Sequence, residues 1–349
     1  MRYTTNGFGL ALLIVLPVRK NEKGELFFMT HKERFIKALK REPVNGLVPH
    51  FEMVFCLSLE AVGKLHSYNR KFDQWNQMSE TEKQYQANDL ADMYLMVAEK
   101  YNHDAIFIHE DQFGSMDLTV RVLRAIREKS GDEYFTMMHG DPTFPIPDGD
   151  SMMEFTVKLY EESEQLKQEA AERVKQFAAK AETWANEYKG LLDGFILCSD
   201  YCFNTAPFYS EDLFDEFVGP YLKEIISVYH QLGFFVIKHT DGNIMPIIDR
   251  IIDCGPDALH SLDPQGGVDL AEVKRRYGDR VCLIGNVNCA LLQTGTEEEC
   301  VADVRRALKQ GMEGYGYIFS TSNCVYTGMP LERYELMNRI WREEGVYSK

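Results

Sequence analysis

The stretch FFVIKHTDGN, residues 234–243, ends an apolar run on His239 and puts Asp241 two positions on. In an extended chain such residues point to the same side. An imidazole and a carboxylate so placed suit Zn²⁺ ligation or acid–base work. The alternative is a histidine bonded to the aspartate merely to hold the fold. Asp263 in ALHSLDP and Cys324 in FSTSNCVYTGMP also follow apolar runs. Three of His239, Asp241, Asp263 and Cys324 would give a catalytic zinc its protein ligands and leave a fourth position open. Glu110, Asp111 and Asp200 close further runs; one of them, its pKa raised by burial, is a candidate general acid or base, with a structural ion pair or helix cap as the alternative for each. Glu52 stands in the first run. Phe113, Tyr201 and Phe203 lie beside these carboxylates and are candidates to stack on an aromatic or tetrapyrrole-like ligand, with ordinary packing as the alternative.

These residues recur at run ends for a reason. Eight short apolar runs punctuate the chain: Leu47–Val54, Ala105–His109, Tyr134–His139, Gly194–Ser199, Phe234–His239, Ala258–Leu262, Val281–Gly285 and Tyr315–Ser320. Helical stretches separate them, as expected of buried parallel strands. The pattern predicts an α/β (β/α)8 TIM barrel, with its active site at the carboxyl ends of the strands. Helical insertions are expected after strands one and three. The second is a Glu-, Lys- and Ala-rich stretch over Met152–Tyr188, read as a solvated face. Thr30 and Glu33 form a capping-box signal for the helix that begins MTHKERFIKALKREP. One domain over residues 29–349 is expected, preceded by a leader or disordered tail over residues 1–28. Its apolar part, Gly7–Val18, is too short to span a bilayer.

A net charge of −16 without a basic stripe argues against nucleic acid as a partner. The eight cysteines are scattered without a CxxC, as in a reduced cytoplasmic enzyme. GxGxxG, P-loop, GxSxG and HExxH patterns are absent. A homodimer is compatible with the sequence, and no membrane association is expected.

Residues 29–345 resemble the uroporphyrinogen decarboxylase superfamily. The likeness is carried in order by MTHKERFIKALKREP, DAIFIHED, DGFILCSDYCFNTAPFYSEDLFDEFVGPYLKEI, HTDGNI, SLDPQGGVDLAEVKRRYGDRVCLIGNVN and SNCVYTGMPLERY. The resemblance implies the same barrel. The true decarboxylases carry an Arg-rich motif after the first strand, where this chain has HFEMVFCLSL without arginine. A substrate with eight carboxylates needs cationic partners.

The closer likeness is to the zinc methyltransferases of the superfamily, which act with corrinoid proteins. Their His-x-Cys matches His239 with Asp241 in place of the cysteine. Their Glu falls near Asp263, and their last Cys falls on Asn323 or Cys324. The resemblance implies Zn²⁺, cobalamin carried by a corrinoid-binding partner protein, and a small methyl donor of the methoxyl or methylamine type, as in an O-demethylase system. Glu110, Asp200 or Tyr201 would then orient the donor or protonate its leaving group. Glu52, Asp111, Phe113, Phe203 and Asn323 would line the substrate site. The alternatives are a metal-independent decarboxylase and a non-catalytic corrinoid- or tetrapyrrole-binding protein.

Overall fold

The computed structural model describes residues 18–20 and 26–347; residues 1–17 and 21–25 of the expected leader, and the side chain of Asp111, lie outside the described residues. Val18–Lys20 and Leu26–Phe28 pair antiparallel.

Seven parallel strands form one curled sheet in chain order: β1 (Ala105–Ile108), β2 (Phe135–His139), β3 (Gly194–Leu197), β4 (Phe235–Thr240), β5 (Ala258–Ser261), β6 (Cys282–Val287) and β7 (Tyr317–Thr321). The expected first strand, Leu47–Val54, is not continuous. Gly46–Leu47 pairs with Val346–Tyr347, and Val54–Phe55 pairs with Cys324–Val325. Between them only Pro49–Phe51 joins the main sheet. Phe51 N–H donates to the Phe319 carbonyl (3.1 Å) and Phe319 N–H to that of Pro49 (2.8 Å), while Asp104 N–H donates to the His50 carbonyl (2.7 Å). Pro49 has no N–H to give, yet these three bonds reach both edge strands. The sheet is thereby drawn into a TIM-barrel-like ring.

Period-two alternation sorts the side chains into two cores. Phe51, Phe107, Phe135, Met137, Ile196, Ile237, Ile284 and Ile318 fill the barrel interior. The intervening residues, such as Phe195, Leu197, Val236, Leu259 and Leu283, pack outward among the helices. The first helix, His31–Leu39, opens with the expected capping box between Thr30 and Glu33. It plugs the amino-terminal end of the barrel, its Phe35 ring lying 4.9 Å from that of Phe135 and 5.9 Å from that of Phe51. Arg34 fixes this plug through a bidentate, buried pair with Asp104 (2.6 and 3.1 Å), and Asp104 also accepts from His50 N–H (2.8 Å).

After the first strand the chain forms the helices Ser58–Val62 and Glu80–Tyr101. After β2 it forms Met152–Glu161 and Ser163–Asn186. The latter buries Leu166, Ala170, Val174, Ala181 and Trp184 in a stripe at helical spacing, so this charge-rich segment has a packed side as well as a solvated one. No helix of the described residues is long and apolar enough to cross a membrane.

Candidate metal centre at the carboxyl ends of the strands

β4 alternates inward at Phe235, Ile237 and His239, and Asp241 continues the inward set just past its end. The neighbouring chain does the same: Ile196 on β3 is followed on the inward side by Cys198 and Asp200. Ligand atoms of Asp200, His239 and Asp241 consequently lie within 4.8 Å of one another, in the only such group of three or more among the described residues. Nε2 of His239 is 3.8 Å from Oδ1 of Asp241.

Each member of the group has its own support. His239 Nδ1 lies 2.7 Å from Nδ1 of His260, the inward residue of β5. One hydrogen is shared across that contact, so one ring donates and the other accepts. Burial, helped by the nearby His239, holds His260 well below its ordinary pKa and therefore neutral. The far nitrogen of His260 faces Ser320 Oγ at 3.5 Å. Donation from His239 Nδ1 to His260 Nδ1 leaves the His239 Nε2 lone pair directed at Asp241. That tautomer is the one a metal requires.

Asp241 accepts from Ser261 Oγ (2.5 Å) and from Asn323 Nδ2, one bond to each oxygen. Its backbone N–H donates to Asp200 Oδ1 at 2.8 Å, tying two members of the group together. Burial raises the Asp241 pKa against the pull of His239, and Asp200 and Asp263 push it further. Ser261 and Leu262 hold positive φ (81° and 49°), an uncommon conformation for residues with a side chain. Gly242 turns the chain away at φ +80°, where a Cβ would lie 2.5 Å from the Cys202 carbonyl oxygen.

The other candidates are placed as follows. Asp263 accepts from Gln265 N–H (2.9 Å) and Gly242 N–H (3.4 Å), and is not in the three-residue group. Cys324 also stands outside it, pairing with Val54 on the rim; burial raises its thiol pKa. Asn323 supports Asp241. Glu52 is buried and accepts from Thr321 Oγ1 (2.5 Å), Ser320 Oγ (3.3 Å) and Thr321 N–H, joining the first strand to β7. Tyr201 has outward parity and is wholly buried, its hydroxyl 2.7 Å from Thr143 Oγ1; no surface is left to meet a substrate. Phe113 is likewise core, edge-on to Phe72 at 5.7 Å. Phe203 is 43% exposed beside the Asp241 turn.

Glu110 accepts from Lys180 (3.3 Å) and His139 N–H (3.2 Å), and burial nonetheless lifts its pKa to about 7. It borders a cavity of ≈ 440 Å³ with Ser115, Met116, His139, Phe177 and Lys180. Asp200, expected in a catalytic role, lies instead within the three-residue group, which His260 and Ser261, not foreseen from the sequence, also support. The inward positions along GFILCSD and ALHSL carry the signal for both, placing Asp200 on the side of His239 and marking His260.

The three-residue group fits a divalent metal. An imidazole nitrogen and carboxylate oxygens are all donors that Zn²⁺ accepts, and three of them leave a fourth position open. Bonds of about 2.0–2.2 Å ask only for a small contraction of the present spacing. The hydrogen bonds to Asp241 leave lone pairs on both of its oxygens. A dedicated partner on the non-ligating nitrogen of His239 is the usual support of a metal-bound histidine.

Residues 195–343 match the family model described as uroporphyrinogen decarboxylase. A uroporphyrinogen decarboxylase of Chlorobaculum tepidum is 30% identical over 144 residues, 39% of either chain. One of Mannheimia succiniciproducens is 29% identical over 122 residues, 32% of this chain and 33% of its own. The chain thus spans about two-fifths or less of the length of these curated relatives. Among solved structures, a methyltransferase from Methanosarcina mazei superposes with a TM-score of 0.68 at 18% identity, over 90% of this chain and 99% of that one. That likeness is one of fold. Residues 195–343 are thus similar to the uroporphyrinogen decarboxylase family, and the chain shares its barrel fold with a methyltransferase.

Proposed function

We propose that this protein is a zinc-dependent methyltransferase that moves a methyl group between a small methoxyl- or methylamine-type donor and a corrinoid held by a partner protein. The observation that carries the reading is the meeting of Asp200, His239 and Asp241 at the barrel mouth. Zn²⁺ held by these residues would supply Lewis acidity toward the donor's oxygen or nitrogen. A set with oxygen ligands and no thiolate suits such a heteroatom better than a thiol.

The remaining roles belong to the chain's own groups. His260 keeps the His239 proton on Nδ1, and Ser261 and Asn323 hold the Asp241 carboxylate in place. Asp200 is engaged as a ligand and Tyr201 is buried. We therefore assign protonation of the leaving group to Glu110, which carries a proton on a substantial fraction of molecules near pH 7.

The names of the relatives favour a second reading, decarboxylation of a carboxylated small molecule. The mouth weakens it, because Asp200, Asp241 and Asp263 crowd together there and would repel a polyanion. The two readings separate in one assay with reduced corrinoid and a panel of methoxylated and N-methylated compounds. Corrinoid methylation that stops with chelator and returns with Zn²⁺ supports methyl transfer. Release of CO₂ from a carboxylated substrate, undiminished by chelator, supports decarboxylation.

A further inference from the structure

Lys238 precedes His239 and has the opposite parity, so it points out of the barrel into the layer beneath the helices. Its side chain is 0% exposed and that of its partner Asp141 3%, with Nζ 2.9 Å from Oδ2. Burying two charges is costly, and a neutral pair of similar shape would often do as well for stability alone. The position of the pair suggests what it does. β3 and β4 pair for the last time at Leu197 and Lys238. Beyond that point the chain leading to Asp200 has no strand partner on β4.

The ion pair substitutes for the missing ladder. Lys238 Nζ donates to the carbonyls of Leu197 (3.3 Å) and Ser199 (2.7 Å). Asp141 accepts from Ser199 N–H (2.8 Å), and from Thr143 N–H (2.9 Å) and Oγ1 (2.5 Å). Ser199 is thus gripped at both its N–H and its carbonyl. On the other flank, Tyr201 N–H donates to Thr240 Oγ1 (3.2 Å), the Tyr201 hydroxyl meets Thr143 Oγ1 (2.7 Å), and its ring lies 4.3 Å from Lys238 Nζ. Asp200 is the one residue between these two clamps.

We propose that Lys238 and Asp141 are positioning residues that set the Asp200 carboxylate in register with His239 and Asp241 for metal binding. The inference rests on the metal reading above and adds to it a device outside the ligand group. A pair that served stability alone would change the melting temperature and leave the affinity of the folded site unchanged.

The test is titration of the full-length, metal-free chain with Co²⁺, followed by its visible absorption, in the wild type and in Asp141→Asn/Lys238→Met, a pair that leaves no unpaired buried charge. The expected result is a folded double variant that binds Co²⁺ about 10–100-fold more weakly, the usual cost of losing a ligand's support, with an altered band shape. A folded double variant with wild-type affinity and spectrum overturns the proposal. If the double variant does not fold, Thr143→Val removes the hydroxyl linking Asp141 to Tyr201 at nearly constant volume. Weaker binding then supports the proposal, and unchanged binding overturns it. Failure of the wild type itself to bind Co²⁺ removes the metal reading and this inference with it, and is distinguished by the wild-type titration alone.

Discussion

His239 can offer Nε2 to a metal only while its proton is on Nδ1, and acceptance of that proton by His260 Nδ1, 2.7 Å away, would keep it there. His260→Ala should therefore weaken metal binding about 10–100-fold with His239 still present, read by competition against a chromogenic chelator. Protons would compete with a bound metal at Asp241, whose pKa burial raises. Affinity should begin to fall above the ordinary carboxylate range as pH is lowered. Glu110 provides a separate pH test. Its pKa is raised from 4.5 to about 7, so its contribution to stability is full below 4.5 and is lost as pH rises through about 7. Glu110→Gln should be more stable than wild type by about 1–3 kcal/mol at pH 8 and show no such gain at pH 4.5, measured by urea unfolding. At this scale the sequence made His239 and Asp241 legible because i and i+2 share a side of a strand. The same rule accounts for Tyr201: next to the inward Asp200 it faces outward and is buried.

Elements position these residues through turns as much as through strands. Gly242 must bend the chain directly after Asp241 with positive φ, against the Cys202 carbonyl. Gly242→Ala meets both the conformational penalty and that contact. We expect about 2–4 kcal/mol of lost stability and weaker metal binding, since Asp241 moves with the turn; denaturant unfolding and the same chelator competition measure the two. β1 to β7 lie within or close to the apolar runs read from the sequence, because buried parallel strands are apolar on both faces. The run Leu47–Val54 misled for a local reason: Pro49 interrupts donation, and each side of it pairs with a different partner near the end of the chain. Such partners, distant in sequence, leave no periodic trace. The stretch Met152–Tyr188 looked solvated because its charges outnumber the narrow stripe from Leu166 to Trp184 that packs inward.

The whole molecule depends on closing its ring where β1 and β7 meet the short first strand, and Asp104 sits at that seam. Burial pushes its carboxyl up, but Arg34 and His31 outweigh this and hold it below its ordinary pKa. Its contribution is present above the ordinary carboxylate pKa and is lost as pH falls through the lowered value. Asp104→Ala leaves Arg34 buried without its partner and should cost about 3–5 kcal/mol, measured by urea unfolding at pH 7. The metal centre makes the most direct demand on the account. Full-length protein purified with zinc supplied should hold one ion per chain by elemental analysis, and His239→Ala and Asp241→Ala, folded to the wild-type circular dichroism, should hold none. A metal-free wild type, or a His239→Ala variant that keeps its ion, would contradict the account.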